Sequence, residues 1–103
     1  MSAPGNGSRR YAVHCSAAVA ELIRRVHRQA SGHGRGRAVT RAFRQIVSQL
    51  ERNPLRFGEA AYRLPGLRLQ VRKGIVRPLV VFFAVSEDRP LVFIKDIKLL
   101  AES

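Results

Sequence analysis

Arg68, Gln70 and Arg72 occupy alternate positions in the run Leu67-Arg68-Leu69-Gln70-Val71-Arg72, and Lys73 and Arg77 follow. Successive side chains on a β-strand point to opposite faces. This spacing therefore predicts a strand with two guanidiniums and an amide on one side and Leu67, Leu69 and Val71 on the other. Cations arrayed in this way suit phosphate: they bind its oxygens and stabilise charge that develops on it under attack. Cleavage of RNA by its own 2′-hydroxyl needs two further groups, a base for that proton and an acid for the leaving oxygen. Arginine stays protonated and supplies neither.

Side chains that do exchange protons near neutrality are His14, His27 and His33. They fall on a strand, a helix and a glycine-rich loop, with no partner in the pattern, and each reads as an ordinary surface or core histidine. Glu87-Asp88 reads as a turn, while Glu51, Glu59 and Asp96 stand apart, so no metal pair is expected. No Cys/His spacing resembles a zinc site, and no cofactor is implied. Cys15 is the only cysteine, which excludes an internal disulfide. It reads as a small buried hydrophobe rather than a nucleophile. The loop Gly32-His33-Gly34-Arg35-Gly36-Arg37 lacks the Gly-Lys-Ser/Thr ending of a nucleotide-binding loop and reads as a helix–helix connector.

The elements that position these residues must come from one small domain, since the chain has 103 residues and can bury a single two-layer core. Its net charge of +12 points to an anionic partner. Sixteen of the 19 basic residues are arginine, and the charge is uneven. Residues 1–50 hold nine arginines against Glu21 alone, so the helical half should carry the stronger field. Aromatics are 7% with no Trp, which argues against a large base-stacking platform. The longest apolar run, Pro78 to Val85, is too short to cross a bilayer, and no membrane role is expected. Met1 to Ser8 is rich in Gly, Ser, Ala and Pro, so residues 1–9 are expected to be a disordered leader before a domain over 10–103. A cytoplasmic location follows from the same features.

Arg10 to Cys15 reads as a strand, with Tyr11 and Val13 on one side. Ser16 stands as the N-cap of a helix whose stripe is Val19, Leu22, Ile23, Val26 and Ala30. A second helix runs from about Arg37 to Glu51 on Val39, Phe43, Ile46, Val47 and Leu50, and ends at Asn53-Pro54. Pairing is expected to begin at Tyr62-Arg63-Leu64. Strands follow over Leu67–Lys73, Ile75–Val85 and Leu91–Ile97, with turns near Gly74 and at Ser86-Glu87-Asp88-Arg89. The nearly continuous apolar character of Ile75–Val85 predicts a central strand covered on both faces, with Pro78 at a bulge or at the strand's entry. The fold is therefore expected to be α+β, β-α-α-β-β-β, with a helical hairpin on one face of a mostly antiparallel sheet.

In this layout, the runs Leu64-Pro65-Gly66-Leu67-Arg68-Leu69-Gln70-Val71-Arg72, Leu79-Val80-Val81-Phe82-Phe83-Ala84-Val85-Ser86-Glu87-Asp88 and Leu91-Val92-Phe93-Ile94 resemble the RelE/ParE superfamily of type II toxin–antitoxin systems. The resemblance covers residues 10–98 and implies a small basic toxin neutralised by an acidic antitoxin protein. One branch of that family cleaves messenger RNA at the ribosome, and another poisons DNA gyrase. By position, the resemblance puts Arg68 and Arg72 where the family has basic residues on its second strand, Gln70 where another basic residue is often found, and Arg77 near the start of the next strand. Lys73, a cation read from the sequence itself, completes the candidate nucleic-acid-binding set. The ribonuclease branch continues past its last strand with a basic segment and a tyrosine. Here Lys95-Asp96-Ile97-Lys98-Leu99-Leu100 stands in that place, so endoribonuclease activity is left open with no catalytic residue assigned. The expectation is a toxin or toxin descendant acting on RNA or gyrase through a basic sheet face. The alternatives are a non-catalytic basic nucleic-acid-binding module, a protein-interaction module, or a strand whose charges merely protect a sheet edge.

Overall fold

Ser16 marks where the first strand gives way to helix. In a computed structural model of the chain, its Oγ accepts the Val19 N–H at 3.1 Å, satisfying one of the free donors at a helix start. The structure describes residues 10–100, and the leader expected at residues 1–9 lies outside them. Strand β1 (Ala12–Cys15) leads through Ser16 into helix α1 (Ala17–Ser31), and α2 (Gly36–Arg52) follows after a short loop. Four strands complete the fold: β2 (Glu59–Leu64), β3 (Leu69–Val76), β4 (Leu79–Ser86) and β5 (Leu91–Leu99). A 3-10 turn, Pro65–Leu67, joins β2 to β3.

The strands form one sheet in the order β1-β5-β4-β3-β2, with β1 parallel to β5 and all other neighbours antiparallel. The helical hairpin packs on one face. Val26 and Ala30 of α1, with Val39, Ala42, Ile46 and Leu50 of α2, meet Leu79, Val81, Phe83 and Val85 of β4 and Val92, Ile94 and Ile97 of β5. Full burial of a large apolar side chain contributes about 1.5–3 kcal/mol, so this cluster supplies most of the drive to fold. The α+β class, with helices packed on a mostly antiparallel sheet, is as the sequence predicts.

Four local expectations change. The segment before Pro65 is a full strand, β2, which makes the order β-α-α-β-β-β-β; its exposed Glu59-Ala60-Ala61 start carries no apolar alternation to announce it. The turn expected near Gly74 lies instead at Arg77-Pro78, joined by a cis peptide bond. All eight residues of β3 thereby pair with all eight of β4, from Leu69 opposite Ser86 to Val76 opposite Leu79. The central strand β4 has helices on only one of its faces. On the other, Val80 and Ala84 are still buried, at 7% and 1% exposure, in a row of larger neighbours from β3 and β5. Cys15, expected to be buried, is exposed because β1 is an edge strand and ends there.

Gly74 sits inside β3 because the Phe57 ring occupies the space where a Cβ would be. That ring stacks on Phe83, with centroids 5.7 Å apart. Next to it, Gly58 adopts φ +70°, and a Cβ there would overlap the Lys73 carbonyl oxygen. The left-handed backbone alone costs a non-glycine residue about 1–2 kcal/mol. Gly58→Ala should therefore lower the melting temperature by at least roughly 4–8 °C. An unchanged melting curve would show that the link between α2 and β2 does not depend on this close approach.

Candidate nucleic-acid interface

Phe83 of β4 belongs to the core beneath the helices, and Arg72 is its partner on β3. Directly paired residues share a face, so Arg72 and, two positions away, Gln70 lie on the helix side. Leu69, Val71, Lys73 and Ile75 take the opposite, open face. The alternation expected from the sequence is present, but its polar side faces the helices; Val71 lies on the open side and is nevertheless buried as expected, at 1% exposure. Leu67 precedes the strand in the 3-10 turn and is 68% exposed.

Arg72 is consequently a structural cation and not an open phosphate ligand. Its side of the sheet is covered by the link after α2, and the residue is only 9% exposed. Its Nε donates to the Phe57 carbonyl at 3.2 Å, one terminal nitrogen donates to the Gly58 carbonyl at 3.1 Å, and the other donates to Gln70 Oε1 at 2.8 Å. These three acceptors compensate a charge that would otherwise be expensive to bury.

The remaining expected ligands do not converge either. Arg68 adopts φ 53° at the end of the 3-10 turn, and its guanidinium lies 3.9 Å from Asp88 at the β4–β5 turn. Arg77 is in the turn at the other end of β3, roughly 25 Å away for an eight-residue strand. Lys73 alone points onto the open face. Gln70 also lines a cleft of about 360 Å³ with Tyr11, Glu87 and Asp88. The acids of that cleft are engaged: Glu87 takes a two-pronged bond from Arg63, one arm at 2.8 Å, and Asp88 accepts from Ser86 Oγ at 2.9 Å. The Arg63 hydrogen bond holds the Glu87 carboxyl below its ordinary range. Because the Arg63 guanidinium stabilises the charged carboxylate, this strut persists at neutral pH and is lost as pH falls through the lowered value.

The open face gathers side chains that stand far apart in the chain. One cross-strand row runs His14 (β1), Phe93 (β5), Ala84 (β4), Val71 (β3), Tyr62 (β2). His14 stacks on Phe93 with centroids 5.6 Å apart, and Tyr62 is 54% exposed. In the next row Phe82 lies between Asp96 and Lys73, with Glu59 beyond. Lys73 Nζ and Lys98 Nζ stand 5.9 and 5.8 Å from the Phe82 ring centre, within cation–π range. A bulge opposite Phe82 and Phe83 inserts the exposed Lys95. Glu59 and Asp96 offset part of this charge, so the face is aromatic first and basic second. Low aromatic content argues against such a platform; three of the seven aromatic residues nevertheless share this face, because strand order joins segments distant in the chain.

His14 and Tyr62 are proton-exchanging groups on the open face, but β1 and β2 are opposite edges of the sheet. Four strand spacings separate them, roughly 19 Å, too far to act on one phosphate. His27 lies on the helical hairpin, and His33 Nδ1 lies 3.1 Å from the Gln29 carbonyl oxygen in the same region. The described residues include no cluster of three or more His, Cys, Asp or Glu that could hold a metal, and no helix among them is long and apolar enough to cross a membrane.

Losing the Arg72 hydrogen bonds should cost about 2–3 kcal/mol, whereas the exposed Arg68 pair contributes less than about 1 kcal/mol. Urea unfolding should therefore show a clear drop in midpoint for Arg72→Gln and almost none for Arg68→Gln. Equal midpoints for the two variants would contradict the structural role assigned to Arg72.

No protein-family model, curated protein or solved structure matches this chain.

Proposed function

We propose that this chain is a RelE/ParE-like toxin, or a descendant of one, that binds RNA in the cytoplasm through the open face of its sheet. An acidic antitoxin is its neutralising partner in this reading. The observation that carries it is the row of rings on the open face, His14, Phe93 and Tyr62, flanked by Phe82 with Lys73 and Lys98. Rings exposed on a sheet stack on unpaired bases whatever their identity, and nearby ammonium groups meet the backbone. The architecture, a helical hairpin on one face of a mostly antiparallel sheet, is also the one implied by the family resemblance.

Exposed rings favour RNA over the gyrase target, because a single strand presents flat base faces to them. Binding is favoured over cutting by the distance between His14 and Tyr62 and by the engagement of Glu87 and Asp88 with other side chains. Lys73 replaces Arg68 and Arg72 as the cation of β3 that meets RNA.

Stacking of one base contributes about 1–3 kcal/mol, so Phe93→Ala should weaken binding of a single-stranded RNA by about 5- to 150-fold. Lys73→Gln should make the dependence of log affinity on log salt shallower by about 0.7. Fluorescence anisotropy with a labelled oligonucleotide measures both. In cells, induction of the chain should arrest growth without new RNA 5′ ends, and Phe93→Ala should relieve the arrest. Full affinity in a folded Phe93→Ala protein would remove the sheet face from consideration; new RNA ends that disappear in this variant would convert the reading from binding to cleavage.

A further inference from the structure

Arg37, Arg41 and Arg44 recur at i, i+4 and i+7 and so form one ridge of α2, about 10 Å long. Facing them across a groove, α1 contributes Arg24, His27 and Arg28. The groove consists of two adjoining hollows of about 700 and 480 Å³ that share His27, Thr40 and Arg44. Glu21 holds Arg24 and Arg28 at 2.9 and 3.5 Å. No carboxylate among the described residues lies within ion-pair distance of Arg37, Arg41 or Arg44, and the acid at the end of α2, Glu51, lies 3.6 Å from Arg10. The outer side of the hairpin therefore gathers five arginines, three of them without a carboxylate partner among the described residues, on the side of the molecule opposite the aromatic face.

We propose that this arginine groove is a second nucleic-acid surface, which grips the phosphodiester backbone of a duplex. Guanidinium groups offer paired donors that match phosphate oxygens, and unpaired ones lose no existing partner on binding. An acidic amphipathic helix is the competing occupant, but such a helix needs apolar ground to cover. The large exposed hydrophobic residues are Leu55, Tyr62, Leu67, Ile75 and Phe93, and none of them is on the hairpin. At the groove's base, Ile23, Val39 and Phe43 already pack into the core beneath. Apolar area is confined to the base of the groove and the arginine stems, with no large hydrophobic side chain of the hairpin standing exposed. The α2 rim carries guanidiniums without carboxylate partners among the described residues, which suits a backbone read by charge. The grip is independent of sequence and separate from the base stacking assigned to the sheet.

The test uses the full chain and an Arg37→Gln/Arg41→Gln/Arg44→Gln variant. Glutamine keeps helix propensity close to that of arginine, and circular dichroism checks the fold. Binding is followed against salt with a mixed-sequence DNA duplex, an RNA duplex of the same sequence and a poly-glutamate peptide. The expected result is a plot of log affinity against log salt that is shallower by roughly 2.7 for the DNA duplex, about 0.9 for each phosphate contact removed. A parallel loss on the RNA duplex assigns the grip to backbone chemistry common to both; a loss on one duplex alone assigns it to that form. An unchanged slope on both overturns the proposal, as does intact duplex binding with loss of poly-glutamate binding, which would give the groove to an acidic protein. Phe93→Ala should leave the duplex slopes unchanged, so failure of either surface is seen separately from the other.

Discussion

The guanidinium of Arg72, bonded to the backbone carbonyls of Phe57 and Gly58, fixes which way β3 faces. Around it the fit is close: the Phe57 ring lies on Gly74 and against Phe83, and Gly58 bends tightly over the Lys73 carbonyl. A slip of one residue in β3 would turn Arg72 to the open face and bring under the link either Val71, which has no donor for the Phe57 and Gly58 carbonyls, or Lys73, whose ammonium lacks the forked donors of a guanidinium. Because β3 joins β4 to the edge strand β2, its orientation also decides that Val71, Lys73 and Tyr62 share a face with Phe82 and Phe93. The character of the open face thus depends on one buried cation and two glycines.

The same constraint divides chemistry between the two sides of the molecule. The apolar stripes of α1 and α2 are used against β4 and β5, which leaves their arginines facing outward. The sheet has no second layer among the described residues, so its other face keeps its rings and lysines accessible. Aromatic area and concentrated charge therefore lie on opposite surfaces, which suit unpaired bases and duplex backbone respectively. Glu87 and Asp88, held by Arg63 and Ser86, brace the β4–β5 turn and are committed to structure.

Much of the fold was legible because its signals are local. Ser16 before an apolar-periodic run, Asn53-Pro54 after one, and the acidic turn after Ser86 each act through neighbours in the chain. The helical period alone places Val26, Ala30, Val39, Ile46 and Leu50 on apolar stripes, and all five reach the core. Strand β2 was only half visible, since an exposed edge strand needs no apolar alternation. Gly74 reads as a turn because glycine serves equally to make a turn or to admit a ring, and the ring it admits belongs to Phe57, distant in sequence.

The candidate site was the least legible part. Alternation showed that β3 has two faces, but period two carries no information about which face is covered. The charge of the arginines suggested exposure, whereas acceptors from the link after α2 make burial of Arg72 affordable. Sequence by itself determined the class of fold, the helices with their stripes, and the excess of positive charge on the helical half, because each follows from composition or from spacing within one segment. Tertiary structure alone decided that Arg72 is structural, that Arg68 and Arg77 lie far apart, and that His14, Phe93 and Tyr62 share one row. Those outcomes depend on register and strand order, which arise from contacts between segments and are written in no single one of them.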